Sequence, residues 1–148
     1  MDYNYLPNTK IKVSKICLGT MTWGRQNSQD EAFDQMNYSI DRGVNFFDTA
    51  ELYPVPASPD KYAITEEIIG NWFQEYKKRD KVILATKIAG PGDYTAHIRK
   101  SGFKASSIED AVNGSLKRLK TDYIDLYQLH WPETVSYTHL TLPTKVRV

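Results

Sequence analysis

Only one cysteine, Cys17, occurs in 148 residues, so no internal disulfide can form and a packed core has to hold the fold. No apolar run approaches the roughly 20 residues that cross a bilayer. The opening stretch, MDYNYLPNTK, is polar and lacks the apolar centre of a signal peptide. An excess of one charge is also missing. Nineteen Lys and Arg face eighteen Asp and Glu, for a net charge of +1, which gives no electrostatic reason to expect nucleic acid or an anionic membrane as partner. A content of 41% hydrophobic and 25% charged residues is that of a globular domain, and a cytoplasmic enzyme or binding domain is the expectation.

What is present is a regular alternation. Tyr3 and Tyr5, the Pro7-Asn8 turn, and Ile11 and Val13 predict a hairpin over residues 3–13. KICLGT then reads as a short strand closing at Gly19. Ser28 with Glu31 forms a capping box for a helix whose face carries Phe33, Met36 and Ile40, with Gly43 at its end. VNFFD is a buried strand. After the proline-bearing loop PVPASPDKYA, a second helix is expected over about residues 65–78, with Ile64, Ile68, Ile69, Trp72, Phe73 and Tyr76 inward and Lys77-Lys78-Arg79 as a solvated end. KVILATK is a third strand. Ser106 and Glu109 read as another capping box, opening a helix with Val112, Leu116 and Leu119 on its face, and DYIDLYQLHW is the fourth strand.

Strands alternating with helices imply a parallel α/β sheet with right-handed crossovers. An open doubly wound sheet and a (β/α)8 barrel compete for this pattern. The glycine fingerprint G-x-G-x-x-G, the main positive sign of the former, is absent after the first strand.

The ionisable residues fall in a pattern of their own. Asp48, Lys87 and His130 each close an apolar run at its C-terminal end, and in parallel α/β folds those ends share one rim. The period of two puts Phe46 with Asp48, Ile83 and Ala85 with Lys87, and Gln128 with His130. Tyr53, five residues after Asp48, can lean over the same place. Singly, each residue has an ordinary explanation; together on one rim they suggest chemistry. A free tyrosine has a pKa of about 10 and is a sluggish acid near neutrality. An ammonium beside it favours the phenolate, a carboxylate holds the ammonium, and an imidazole orients an oxygen. Such a group is a tuned proton donor for a substrate oxygen, suited to protonating a carbonyl while hydride arrives from elsewhere. Two other residues carry less. Cys17, between Ile16 and Leu18, reads as a buried filler. His97 has no partner at metal-ligand spacing, so no metal site is expected.

The stretches LGTMTWG, GVNFFDTAELY, ILATK and SLKRLKTDYIDLYQLHWP resemble the aldo-keto reductase family, in order, from about residue 3 to residue 133. The resemblance implies the N-terminal portion of a (β/α)8 barrel, with about four parallel strands, three helices and a preceding hairpin that closes the barrel floor. It implies NADPH as cofactor and a small carbonyl compound as substrate. Tyr53 would be the general acid, Lys87 would favour its phenolate, Asp48 would pair with Lys87, and His130 would orient the carbonyl. Gly19, Thr20 and Met21 would line the nicotinamide end, with Asp48 also touching the ribose. Trp131, and secondarily Trp23, would wall the substrate pocket. Some members of the family serve instead as cofactor-binding auxiliary subunits of ion channels, and an inactive fragment is a third reading. Turnover of aldehydes separates the first from the others.

A full barrel takes about 250 residues. Here four strands are followed, after LHWPE, by TVSYTHLTLPTKVRV, where the fold requires a crossover helix. Residues 134–148 resemble translated adapter or vector sequence and are expected to be a non-native tail on a truncated barrel of residues 1–133. Such a fragment is expected to bind NADPH poorly and to associate through its open barrel edges.

Overall fold

Nine regular elements follow one another in residues 1–131, the part of the chain that the computed structural model describes. The expected tail at 134–148 lies outside the described residues. Strands β1 (Tyr3–Tyr5) and β2 (Lys12–Ser14) form an antiparallel hairpin. Strands β3 (Cys17–Gly19), β4 (Phe46–Asp48), β5 (Ile83–Ile88) and β6 (Leu126–Leu129) form a parallel sheet, joined by helices α1 (Gln29–Asp41), α2 (Ile64–Tyr76) and α3 (Ala105–Leu119).

The sheet order is strictly sequential, β3-β4-β5-β6. A doubly wound sheet reverses direction at a switch point; successive right-handed crossovers without reversal place every helix on one side. The architecture is therefore that of a barrel opened after four strands.

Register makes the two faces of the sheet unlike. Leu18, Phe47 and Leu84 lie side by side, as do Thr86 with Tyr127 and Ile88 with Leu129. This row faces the helices. Phe47, Leu84, Thr86 and Ile88 are fully buried there, and Phe33, Met36, Ile69, Trp72 and Leu119 complete the main core. The opposite row carries Cys17, Phe46 and Ile83, then Gly19, Asp48 and Ala85, then Lys87 and Gln128. Among the described residues no helix covers that face. Cys17 is accordingly exposed, not the buried filler its neighbours suggested.

The hairpin is tied to the N-terminal ends of the strands. Tyr3 Oη donates to the Gly43 carbonyl at 2.8 Å, and the Ser14 amide donates to Asn45 Oδ1 at 2.7 Å. It thus occupies the floor, opposite the rim that holds the ionisable groups.

Local signals account for some helix ends and not others. Ser28 and Glu31 make both bonds of the expected capping box, and Gly43 follows α1 with φ of 81°. Helix α2 stops at Tyr76, two residues early, because Lys77 adopts a left-handed conformation. Arg79 is no solvated end: its guanidinium pairs with Asp125 at 2.8 Å, donates to the Val82 and Tyr123 carbonyls, and lies 3.8 Å from the centre of the Tyr123 ring. Helix α3 starts at Ala105 with Lys104 as cap and no side-chain capping bond, so the Ser106–Glu109 box does not form. Its buried face is Ser107, Ala111, Ser115 and Leu119, while Val112 and Leu116 are half-buried. Small residues line this face because α2 comes very close. A Cβ on Gly70 would collide with the Arg118 carbonyl oxygen.

Candidate active site

The site grows out of the C-terminal ends of β4, β5 and β6. Asp48 is the last residue of β4, and the ladder continues past it: the Thr49 amide donates to the Ala85 carbonyl at 2.9 Å and the Glu51 amide to that of Lys87 at 3.0 Å. The chain then turns, with the Tyr53 amide donating to Ala50, and this brings the Tyr53 ring back over β5. Tyr53 packs with Ala50, Leu52, Ala89 and Trp131.

Lys87 is the hub. An ammonium has three donors and no acceptor. Nζ donates to Asp48 Oδ2 at 2.7 Å, to the Thr49 carbonyl at 2.8 Å and to Tyr53 Oη at 3.5 Å, the outer limit of a hydrogen bond. Its side chain is 13% exposed and that of Asp48 30%. A little-exposed ammonium is tolerable because a carboxylate and two further oxygens replace its water.

His130 follows β6 and stands edge-on to Tyr53, the ring centres 5.7 Å apart and the planes at 77°. Burial, and then the positive charge of Lys87, push its pKa down to about 4, against a smaller opposing pull from Asp48. The imidazole is therefore neutral at pH 7. Its Nδ1 is buried and has no hydrogen-bond partner among the described residues. A neutral imidazole can give a hydrogen bond to a carbonyl oxygen without adding a charge to the site.

The structure thus brings Asp48, Tyr53, Lys87 and His130 together. Trp131 joins them, its ring 5.0 Å from that of His130 and its Nε1 donating to the Pro91 carbonyl at 3.3 Å. Trp23 does not. It is fully buried in the core behind the sheet, where Nε1 donates to Gln35 of α1 and its carbonyl accepts from Thr65. The three residues at the end of β3 divide. Thr20 is fully buried and its hydroxyl donates to the Asp48 carbonyl at 2.9 Å, bracing the strand end from beneath. Gly19 and Met21 face outward: nothing lies within 4 Å of a Cβ built on Gly19, and Met21 is 51% exposed. A flat ring can lie against this bare strand end beside Asp48, so these residues fit a nicotinamide.

Sequence reasoning passed over two buried carboxylates. Glu51 pairs with Arg99 at 2.6 Å, and Glu66 pairs with Arg118 at 2.7 Å while accepting from Thr86 at 2.6 Å. Glu51 was legible in principle, since an acid between Ala50 and Leu52 interrupts an apolar stretch.

A one-way parallel sheet with its ionisable groups gathered at the C-terminal strand ends is the arrangement of a barrel-type α/β fold, whose enzymes keep their chemistry at that rim. The chain belongs to the Aldo/keto reductase family, whose model matches residues 15–144. It is similar to Protein tas of Escherichia coli, 43% identical over 135 residues, covering 90% of this chain and 39% of that protein. It is likewise similar to the uncharacterized oxidoreductase YrpG of Bacillus subtilis, 43% identical over 135 residues, covering 88% and 40%. Norsolorinic acid reductase B of Dothistroma septosporum is 34% identical over 145 residues, covering 88% and 35%. Among solved structures, a Pseudomonas aeruginosa protein assigned to the aldo-keto reductases superposes with a TM-score of 0.72 at 27% identity, covering 97% of this chain and 54% of that one. The chain spans about two-fifths of the length of these curated relatives. The family generally uses NAD(P)H.

Proposed function

We propose that this chain carries the proton-donating half of an NADPH-dependent carbonyl reductase, with a small aldehyde or ketone as substrate. The observation that carries the reading is the Lys87 ammonium, held between the Asp48 carboxylate and the Tyr53 hydroxyl beneath an open strand-end face.

NADPH, when bound, supplies a hydride. Gly19 and Met21 would border its nicotinamide, Thr20 would brace the wall beneath, and Asp48 would reach its ribose. The chain's own residues manage the proton. Tyr53 gives its phenolic proton to the carbonyl oxygen as that oxygen gains negative charge. Lys87 stabilises the negative charge left on the tyrosine oxygen, and Asp48 keeps Lys87 charged and in place. His130, neutral and edge-on to Tyr53, directs the carbonyl oxygen toward the phenol. Trp131 forms one wall. A cytoplasmic setting belongs to the same proposal.

The test is NADPH oxidation over a panel of aldehydes and ketones by a version of the chain extended to the full length of its relatives, followed by loss of the cofactor's absorbance. Carbonyl-dependent turnover is expected to fall about 100- to 10,000-fold in Tyr53→Phe, the range for losing a general acid. No turnover on any carbonyl in the panel, with cofactor still bound, would point to the auxiliary-subunit reading instead.

A further inference from the structure

Glu51 lies two residues before Tyr53 and is 2% exposed, yet the chemistry above gives it no part. Its carboxylate is fully engaged. Oε1 accepts from Arg99 Nη2 at 2.6 Å and from the Tyr62 hydroxyl at 3.0 Å, and Oε2 accepts from the Ala89 amide at 2.9 Å. The residue's own amide donates to the Lys87 carbonyl at 3.0 Å. One side chain thus ties the turn after β4 to the end of β5, to the loop after β5 and to the approach to α2.

The position matters because of what sits on each side of it. Ala50 and Ala89 share a buried cluster with Tyr53, and Ala89 is also the residue whose amide Glu51 holds. Lys87, whose carbonyl receives the Glu51 amide, is the residue whose ammonium meets the Tyr53 hydroxyl. Rotation of residues 49–53 about the C-terminal end of β4 would break the bonds at Glu51. An apolar residue could fill the same volume, but it could not fix the turn along three directions at once. Tyr62 is kept a neutral donor, its pKa pushed up to about 12 by burial and then by Glu51 itself. The guanidinium of Arg99, 10% exposed, is held on its far side by the Ser107 carbonyl at 3.2 Å, so the clamp is anchored at the start of α3.

We infer that Glu51, clamped by Arg99, is a positioning residue for Tyr53: it fixes the turn of residues 49–53 so that the phenol lies over Lys87 and edge-on to His130. Its bearing on turnover rests on the reductase reading, but the seat itself is tested without turnover.

The experiment is an NMR titration of the His130 imidazole in the whole 148-residue chain, with the signal assigned from His130→Gln. In the unsubstituted chain His130 stands edge-on to Tyr53, and burial, then the Lys87 charge, pushes its pKa down to about 4. Glu51→Gln keeps the volume and removes the charge. It is expected to move that midpoint toward the 6.5 of a free imidazole and to erase the ring-current shift from Tyr53, as Tyr53→Leu does. Glu66→Gln is the control. It removes the other buried carboxylate behind β5, and it should lower the melting temperature while leaving His130 unmoved. Arg99→Met should reproduce the Glu51→Gln shift and Arg99→Lys should largely restore the original signal. These two carry the test if Glu51→Gln does not fold. An unmoved His130 in folded Glu51→Gln or Arg99→Met overturns the inference, as does an equal shift in Glu66→Gln. Absence of carbonyl reduction by the full-length version, alongside the expected shifts, would sink the reductase reading and leave the positioning role standing.

Discussion

His130 gives the site its clearest acid signature. Its folded-state pKa of about 4 lies below the 6.5 of an unfolded imidazole. Above pH 6.5 both states are neutral and nothing is lost. As pH falls from 6.5 toward 4 the unfolded chain takes up a proton that the folded one refuses, so stability declines; below 4 both are protonated and the loss levels off. After discounting for the partial exposure of the ring, the decline is about 1–2 kcal/mol. Thermal melts across this window should show it, and His130→Gln should flatten that part of the curve. Residues of this kind were legible from sequence, because an ionisable side chain ending an apolar run is a local event. Asp48, Lys87, Tyr53 and His130 meet as their positions suggested. The burial of Trp23 was not legible, because its neighbours, LGTMTWG, do not reveal that the chain folds back behind the sheet after Thr20 and sets the indole against α1.

At the scale of elements, the decisive contact is one that hydrophobic periodicity cannot display. Helices α2 and α3 approach at Gly70, where an added methyl group would collide with the Arg118 carbonyl and the Leu119 backbone. Gly70→Ala should therefore force the helices apart and cost about 1–3 kcal/mol. Differential scanning calorimetry should read this as a fall of several degrees in Tm, on the scale of about 2–4 °C per kcal/mol for a domain of this size. The same contact explains why the face of α3 was misjudged. Val112 and Leu116 look like core residues by type, but Ala111 and Ser115 are small enough for the tight seam and are the ones buried. The start of α3 was misjudged for a related reason: Ser107, not Ser106, turns inward, meeting Ser101 and supplying its carbonyl to Arg99. Strand order, by contrast, followed directly from the alternation of strand and helix, since right-handed crossovers leave little freedom.

At the scale of the whole molecule, four strands of a barrel leave β3 and β6 each with an unpaired edge among the described residues, and one sheet face without helices. Free parallel edges and a half-covered apolar face favour pairing with another chain. The net charge of +1 offers little repulsion against it. The chain is therefore expected to sediment as species heavier than 17.0 kDa, increasingly so at higher concentration. It is also expected to bind NADPH far more weakly than micromolar. A concentration-independent monomer that titrates NADPH with about −8 kcal/mol, the equivalent of a micromolar Kd, would contradict this.

The two unlike rows of β5 carry a consequence for how this sequence can change. Leu84, Thr86 and Ile88 face the helices, while Ile83, Ala85 and Lys87 face the open side. Neighbouring codons are therefore expected to answer to different selections: alternate letters for packing against the helices, and the letters between them for the open face. A lineage could revise its chemistry one letter at a time along this strand and leave the scaffold's own text unaltered.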